Sequence, residues 1–299
     1  FSSSPRRQYN LENFIKKYLP FKIKNMKFEN IRGNILTRFK KFTEGNVDGF
    51  VVAKAAIDRL LNADQINFPD TKKNLLSYIN ECLWSVIPLS INPSSPGQGA
   101  LAVEIRTEDT DLKKILSKIN NIADYKNVTL ERDELQKYGG GCHQKIGVSY
   151  KNTHFGKVKF SRGEKEDGSS FYEKTIYENN NPSNVKSTSI TEIFPEQLSD
   201  YNFFNRKVIE TSVKELSQTK NKCIWISRQS ALPQNASIDT SNILWVSGLE
   251  TWKNIAERGI WINGSSDGLG EDLDPKINSL TNNEWIKLTH LDSPVSRLK

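Results

Sequence analysis

Cys142 follows three consecutive glycines, Gly139, Gly140 and Gly141, and precedes His143-Gln144-Lys145-Ile146-Gly147. Glycines leave the backbone free to turn tightly or to admit a bulky group, so a thiol in this setting is open to covalent chemistry. The competing reading from these residues alone is an ordinary half-buried thiol after a flexible turn. A second set of residues is cationic. Arg6 and Arg7 stand beside Ser4 at the start of a predicted helix, Arg32, Arg38 and Lys54 recur at or near later strand-to-helix connections, and Arg59 follows within the helix that Lys54 opens. First-turn amides lack intrahelical partners, and arginine binds carboxylates in a bidentate manner, so the pattern suits an anionic ligand. A capping loop with solvated arginines is the plainer alternative.

The elements that must position these groups are legible in outline. Leu11, Phe14, Ile15, Tyr18 and Leu19 have helical spacing and stop at Pro20. A strand is expected within 21–31, a helix over 35–42 closed by Gly45, a strand over 49–53 and a helix over 54–61. This β-α-β-α order predicts an open α/β sheet, whose ligands sit at the carboxyl ends of the strands. Residues 62–95 contain an amphipathic stretch, Leu75 to Leu83, read as a surface elaboration, and end in the loop Asn92-Pro93-Ser94-Ser95-Pro96. A strand is expected over 100–105 and a helix over 111–119. Leu130 to Tyr138 is expected to be a helix with Leu130, Glu131, Arg132, Leu135 and Tyr138 marking its faces. Strands are expected near 144–151, 156–161 and 171–177, with a turn at Gly168-Ser169 and a polar loop over 179–189. A helix over about 202–216 follows, then a linker at 219–222. Beyond it lie strands at 223–227 and 243–247, a helix over 251–258 ended by Gly259, and five of the six tryptophans.

Composition narrows the function classes. The chain of 299 residues carries a net charge of +7, with 36% hydrophobic and 26% charged residues. Its length predicts two or three domains. Residues 1–60 hold 13 Lys/Arg against 5 Asp/Glu, whereas the remainder holds 29 against 30. The basic character is therefore local and marks an anion site or a basic surface patch. Nucleic acid is the generic partner for such a patch, but the placement of the arginines favours small polycarboxylates. Cys82, Cys142 and Cys223 are far apart and odd in number, which argues against a disulfide framework or a zinc site. Residues 263–268 lack the carboxylates of a calcium loop. No run reaches the roughly 18 apolar residues of a membrane span, and Phe1–Arg7 lacks the apolar core of a signal peptide. The only methionine is Met26, so Phe1 is not expected to be the natural start. A reducing, cytoplasmic setting is expected.

Several segments together resemble the porphobilinogen deaminase (hydroxymethylbilane synthase) family. They are S-S-x-R-R-Q from Ser3, R-G-N-x-x-T-R from Arg32, A-x-A-x-x-x-R-L from Ala53, the segment from Pro96 to Arg106, which is similar to the family's P-x-x-G-Q-G-A, and E-R-x-x-L-x-x-x-G-G-G-C-x-x-x-I-G from Glu131. The family usually has proline where this chain has Lys145, and glycine where it has Ala56. The resemblance implies a covalent dipyrromethane cofactor on Cys142. It implies that Ser4, Arg6, Arg7, Arg32, Arg38 and Arg59 bind acetate and propionate groups, with Gly33 and Gln98 as neighbours. It also implies a transferase that condenses four porphobilinogen molecules into hydroxymethylbilane, acting as a monomer without membrane or nucleic-acid partners and without a metal.

The implied fold is α/β and α+β multidomain. Residues 1–95 would be an open, periplasmic-binding-protein-like α/β domain, and 96–120 a crossover belonging to an incomplete first domain. Residues 121–218 would be an α+β domain with the cofactor cysteine, and 222–299 an extension. The extension's V-S-G-L-E-T-W-x-x-I-x-x-x-G faintly resembles uroporphyrinogen-III synthase. The family's catalytic aspartate lies before the S-S-x-R-R segment, so no catalytic residue is expected within this chain. The alternative is a non-catalytic binding protein with a basic α/β cleft for an anionic ligand or RNA.

Overall fold

The computed structural model describes residues 1–64, 68–139, 144–178 and 207–293. Cys142, the polar loop at 179–189 and the start expected for the helix at 202 lie outside them.

Helix α1, Pro5–Tyr18, is capped by Ser4, whose side chain accepts from the Arg7 amide, and Pro5 occupies its first turn. Its buried face carries Leu11 and Phe14 together with Arg6 and Asn10. The strands expected within 21–31 and at 49–53 do not form. Short extended segments pair instead. Ser2 donates to the Glu29 carbonyl at 3.0 Å and Val51 donates to the Phe1 carbonyl at 3.2 Å. The Ser3 hydroxyl joins the Ile31 amide at 3.0 Å. Residues 1–3 thus lie between 29–31 and 49–51, and a helix follows each segment. The open α/β sheet expected for residues 1–95 is therefore not formed among the described residues, because the caps Ser4 and Asn34 start helices so soon that no ladder develops.

Helices α2 (Ile35–Thr43), α3 (Lys54–Leu61) and α4 (Pro69–Asn80) pack around Phe39, Ile57, Leu61, Leu75 and Ile79. The stretch read as a surface elaboration is therefore part of a core: Leu75 is fully buried. Gly45 does not cap α2 through a left-handed turn. It lies so close to the Lys41 carbonyl that a Cβ would sit 2.5 Å from that oxygen.

Residues 100–105 are extended but form no strand, and Leu101 is 97% exposed. Helix α5, Thr110–Ser117, buries no residue. Helix α6, Ile122–Gln136, starts earlier than expected because Asn121 accepts from the Ala123 and Asp124 amides. Its buried residues are Glu131 and Glu134 rather than the apolar positions, and Leu130 is exposed. The reason is polar packing on the sheet beneath: Glu134 pairs with Lys159, which also pairs with Glu173.

That sheet is an antiparallel meander of β1 (Gly147–Thr153), β2 (Gly156–Glu164) and β3 (Ser170–Glu178). Gly168, at φ +79°, makes the turn between β2 and β3. After α7 (Glu210–Gln218) comes a parallel sheet in the order β6-β5-β4-β7. Its strands are β4 (Cys223–Ile226), β5 (Ile243–Val246), β6 (Gly264–Ser265) and β7 (Trp285–Leu288). The short strands β6 and β7 have no counterpart in the sequence reading. Helix α8, Leu249–Ala256, buries Trp252. Trp252 packs edge-on against Phe14 and donates to the Tyr18 carbonyl at 2.8 Å. The parallel sheet and α1 thus share one core, which includes Leu11, Ile91, Ile224 and Val246.

Candidate functional site

The first turn of α1 faces the loop 95–98 and the chain leading into β1 across a cleft of about 370 Å³. Ser4, Arg6 and Arg7 form one wall. Ser95, Pro96, Gly97 and Gln98 form the second, and Leu135, Gln144 and Ile146 the third. The volume falls in the range of small-molecule clefts, roughly 300–1,000 Å³.

Each wall has a local cause. Ser4 and Pro5 fix the start of α1, so Arg6 and Arg7 project from its first turn. Loop 95–98 closes through Gln98 N–H to the Ser95 carbonyl at 2.9 Å, and Gly97 adopts φ +70°. Buried Glu131 locks this loop to the meander, because its carboxylate accepts from the Gly97 amide at 2.8 Å and the Tyr150 amide at 3.0 Å. Burial pushes the Glu131 carboxyl above the usual carboxylate range, and these two N–H donors partly offset that. Gln144 donates to the Tyr138 carbonyl, while its Oε1 is buried without a partner.

The two arginines differ in role. Arg6 is only 6% exposed, and its guanidinium donates to Asn92 Oδ1 at 2.8 Å and to the Pro93 carbonyl. Burial, helped by the charge of Arg7, pushes its pKa down to about 10. Arg7 is half-buried, and its guanidinium donates to no described residue. Burial and then the charge of Arg38 lower its pKa. Among the described residues no carboxylate forms a salt bridge with either arginine. Two cations held near each other, with no carboxylate partner among the described residues, give this wall of the cleft a positive potential.

The other expected site residues are placed as follows. Gln98 lines the cleft, and its Oε1 accepts from the Ser95 amide at 3.3 Å. Arg38 leans back on α2 and donates from Nε to the Gly33 carbonyl at 2.7 Å, near enough to Arg7 to affect it. Gly33, at φ +123°, leaves no room for a Cβ, which would stand 2.9 Å from Thr37 Cγ2. Arg32 and Arg59 are exposed and do not line the cleft. Lys54 is engaged by Asp58 at 2.7 Å. Cys142 itself is outside the described residues, two positions in sequence from the cleft residue Gln144. The sequence reading did not single out Ser95, Leu135, Gln144 or Ile146 as lining residues, nor Glu131 as the lock. Glu131 stood in the quoted motif, but as one position on a helix face. No group of residues able to hold a metal ion occurs among the described residues. No helix among them is long and apolar enough to cross a membrane.

The comparisons with known proteins bear on this same region. Residues 1–114 match the family model described as "Porphobilinogen deaminase, dipyromethane cofactor binding domain". The chain is 32% identical over 160 residues to the porphobilinogen deaminase of Fusobacterium nucleatum, covering 54% of this chain and 45% of that protein. It is 36% identical over 147 residues to the porphobilinogen deaminase of Caldicellulosiruptor saccharolyticus, covering 49% and 42%. With the probable porphobilinogen deaminase of Sulfurisphaera tokodaii it shares 32% identity over 154 residues, covering 50% and 46%. The chain thus spans less than half the length of these curated relatives. Through the segment that builds the arginine wall of the cleft, and in alignments reaching about half its length, the chain is similar to porphobilinogen deaminases.

Proposed function

We propose that this chain carries the primer-binding cleft of a porphobilinogen deaminase, and that Cys142 is the attachment point of a dipyrromethane cofactor. The observation that carries the reading is a cleft with two arginines and, among the described residues, no carboxylate counter-ion, whose third wall runs in sequence directly back to Cys142. The residues suit such a group. Its carboxylates would meet Arg7, the Ser4 hydroxyl and the exposed part of Arg6, while Gln144 Oε1 offers a buried acceptor for an N–H donor. When bound, the group supplies a covalently fixed end for pyrrole chain growth. The protein's part is to neutralise carboxylates at fixed positions and to keep that end in place. Arginine suits this task because it stays charged at any working pH.

The other two cysteines are poor attachment points. Burial pushes the Cys223 thiol up to about 11 and raises that of Cys82 as well, and the thiolate is the reactive form.

Four porphobilinogen molecules would be joined head to tail with loss of ammonia, giving hydroxymethylbilane for tetrapyrrole and heme synthesis, in a cytoplasmic monomer. Proton handling would need a carboxylate in the part of the relatives that this chain does not span. The residues 96–120 fit a crossover towards that part, since Leu101, Val103, Ile115 and Ile119 are all exposed. The assay is porphobilinogen consumption by residues 1–299 alone and by the full gene product that contains them. The expected outcome is turnover by the full product only, because general acid–base help is typically worth about 10²–10⁴ in rate. Turnover by the short chain would assign proton handling to a residue within it.

A further inference from the structure

Lys145 stands between Gln144 and Ile146, whose side chains wall the cleft, yet it does not line the cleft itself. Its ammonium lies 2.5 Å from Glu164 Oε1 at the end of β2 and 5.7 Å from the centre of the Tyr9 ring on α1. The Tyr9 hydroxyl is 2.5 Å from Ser170 Oγ at the start of β3. Glu164 and Ser170 are opposite each other in the β2–β3 register. Tyr9 is therefore held on its face by Lys145 and at its hydroxyl by the same end of the hairpin. Less than one turn earlier, α1 carries Arg6 and Arg7 into the cleft.

Steric stops frame this tie. A Cβ on Gly163 would come within 2.5 Å of the Lys145 carbonyl oxygen and 2.7 Å of Ile146 Cα. A Cβ on Gly147 would come within 2.5 Å of the Pro93 carbonyl oxygen, the group that Arg6 grips. The strip 145–147 is thus seated between β2 and Pro93, and Lys145 joins it to α1.

We propose that Lys145 is a positioning residue. By bridging Glu164 and the Tyr9 face, it sets the separation between the Gln144–Ile146 wall and the arginine-bearing first turn of α1. The width at which the cleft meets an anionic pyrrole depends on it. The proposal rests on the reading of the cleft as a pyrrole-carboxylate site. The rival role for Lys145 is that of one more cation near that site, and the two roles have opposite consequences at Glu164. Removing the Glu164 charge would tighten anion binding if Lys145 acted through charge alone. It weakens binding if Lys145 acts through position, because the tie is broken.

The test compares K145M, K145R, E164Q and R7L in the 299-residue chain. Porphobilinogen is the calorimetric probe, and amide exchange at Ile146–Val148 is followed in parallel. K145M and E164Q should each weaken binding by about two- to fivefold, as expected for a half-exposed ion pair. Both should speed exchange at 146–148, and K145R should restore both readouts. Tighter binding in E164Q with unchanged exchange overturns the proposal while leaving the cleft reading in place. If the unaltered chain fails to bind the probe, the cleft reading fails. Exchange then decides alone: faster exchange in K145M and E164Q but not in R7L supports the tie, and unchanged exchange overturns it.

Discussion

Replacing Arg7 with leucine should separate ligand binding from folding in a way that the same change at Arg6 cannot. The Arg7 guanidinium donates no hydrogen bond to a described residue, and the backbone amide that meets Ser4 Oγ is retained by leucine. The substitution also removes a like charge from beside Arg6. Its effect on stability should stay within about 0.5 kcal/mol, as for changes that break no packed contact. A charge-assisted hydrogen bond to a carboxylate contributes roughly 1.5–3 kcal/mol. Losing one therefore weakens binding by about tenfold to a hundredfold. Arg6→Leu differs because it abandons Asn92 Oδ1 and the Pro93 carbonyl, which hold the second wall of the cleft. Acceptors left buried without a donor cost about 1–3 kcal/mol. Release of a charge that burial disfavours offsets part of this. Urea unfolding followed by tryptophan fluorescence, with calorimetric titration of porphobilinogen, measures both quantities. Arg7→Leu should keep its midpoint and lose at least about tenfold in affinity, whereas Arg6→Leu should lose on both. Undiminished affinity in Arg7→Leu, at an unchanged midpoint, would take Arg7 out of ligand contact and refute the assignment of this wall.

Two further outcomes test the frame around the cleft. Gly163→Ala must push the Cβ against the Lys145–Ile146 backbone, which has no flexible end to give way. Overpacking of this kind costs about 1–3 kcal/mol, measurable as a lower urea midpoint. Lys159 concerns alkaline pH. Its burial lowers its pKa, but the Glu173 hydrogen bond and the Glu134 and Glu173 charges outweigh this and raise it above the ordinary 10.5. A raised pKa means the folded state holds the proton more tightly. The contribution is therefore complete below pH 10.5 and is lost as pH rises beyond it towards the folded value. At pH 8 Lys159→Met should cost about 1–3 kcal/mol, because buried Glu134 loses the partner of its Oε1 and keeps Lys137, at 2.8 Å from Oε2. The difference in urea midpoint from the unaltered chain should shrink above about pH 10.5.

Much of this arrangement was legible in residue order. Helical spacing located α1 and its buried Leu11 and Phe14, and Ser4 stood at the helix start it caps. The meander was legible because Gly168 and the alternating runs on either side encode a hairpin. Three features were not. The segments at 1–3, 29–31 and 49–51 are held by isolated hydrogen bonds rather than a ladder, because little chain is left before the helix that follows each, and no periodicity reveals such pairing. Leu75 and Ile79 became core because α2 and α3 present an apolar surface to them, a tertiary fact. Glu131 and Glu134 are buried where an apolar face would be expected, because β1 and loop 95–98 present N–H donors and β2 presents Lys159. At the site, the arginine cluster and Gln98 were visible as residue types. The division between Arg6, which holds backbone, and Arg7, which is left available, depends on where Asn92 and Pro93 come to rest.

The central claim is that the cleft serves a group carried on Cys142. It is tested most directly by intact-protein mass spectrometry with peptide mapping of the full gene product. The expected result is one added dipyrromethane, located on the peptide that contains Cys142 and absent from a Cys142→Ser variant, with Cys82 and Cys223 unmodified. An unmodified Cys142 peptide, or the added mass on Cys82 or Cys223, would contradict it.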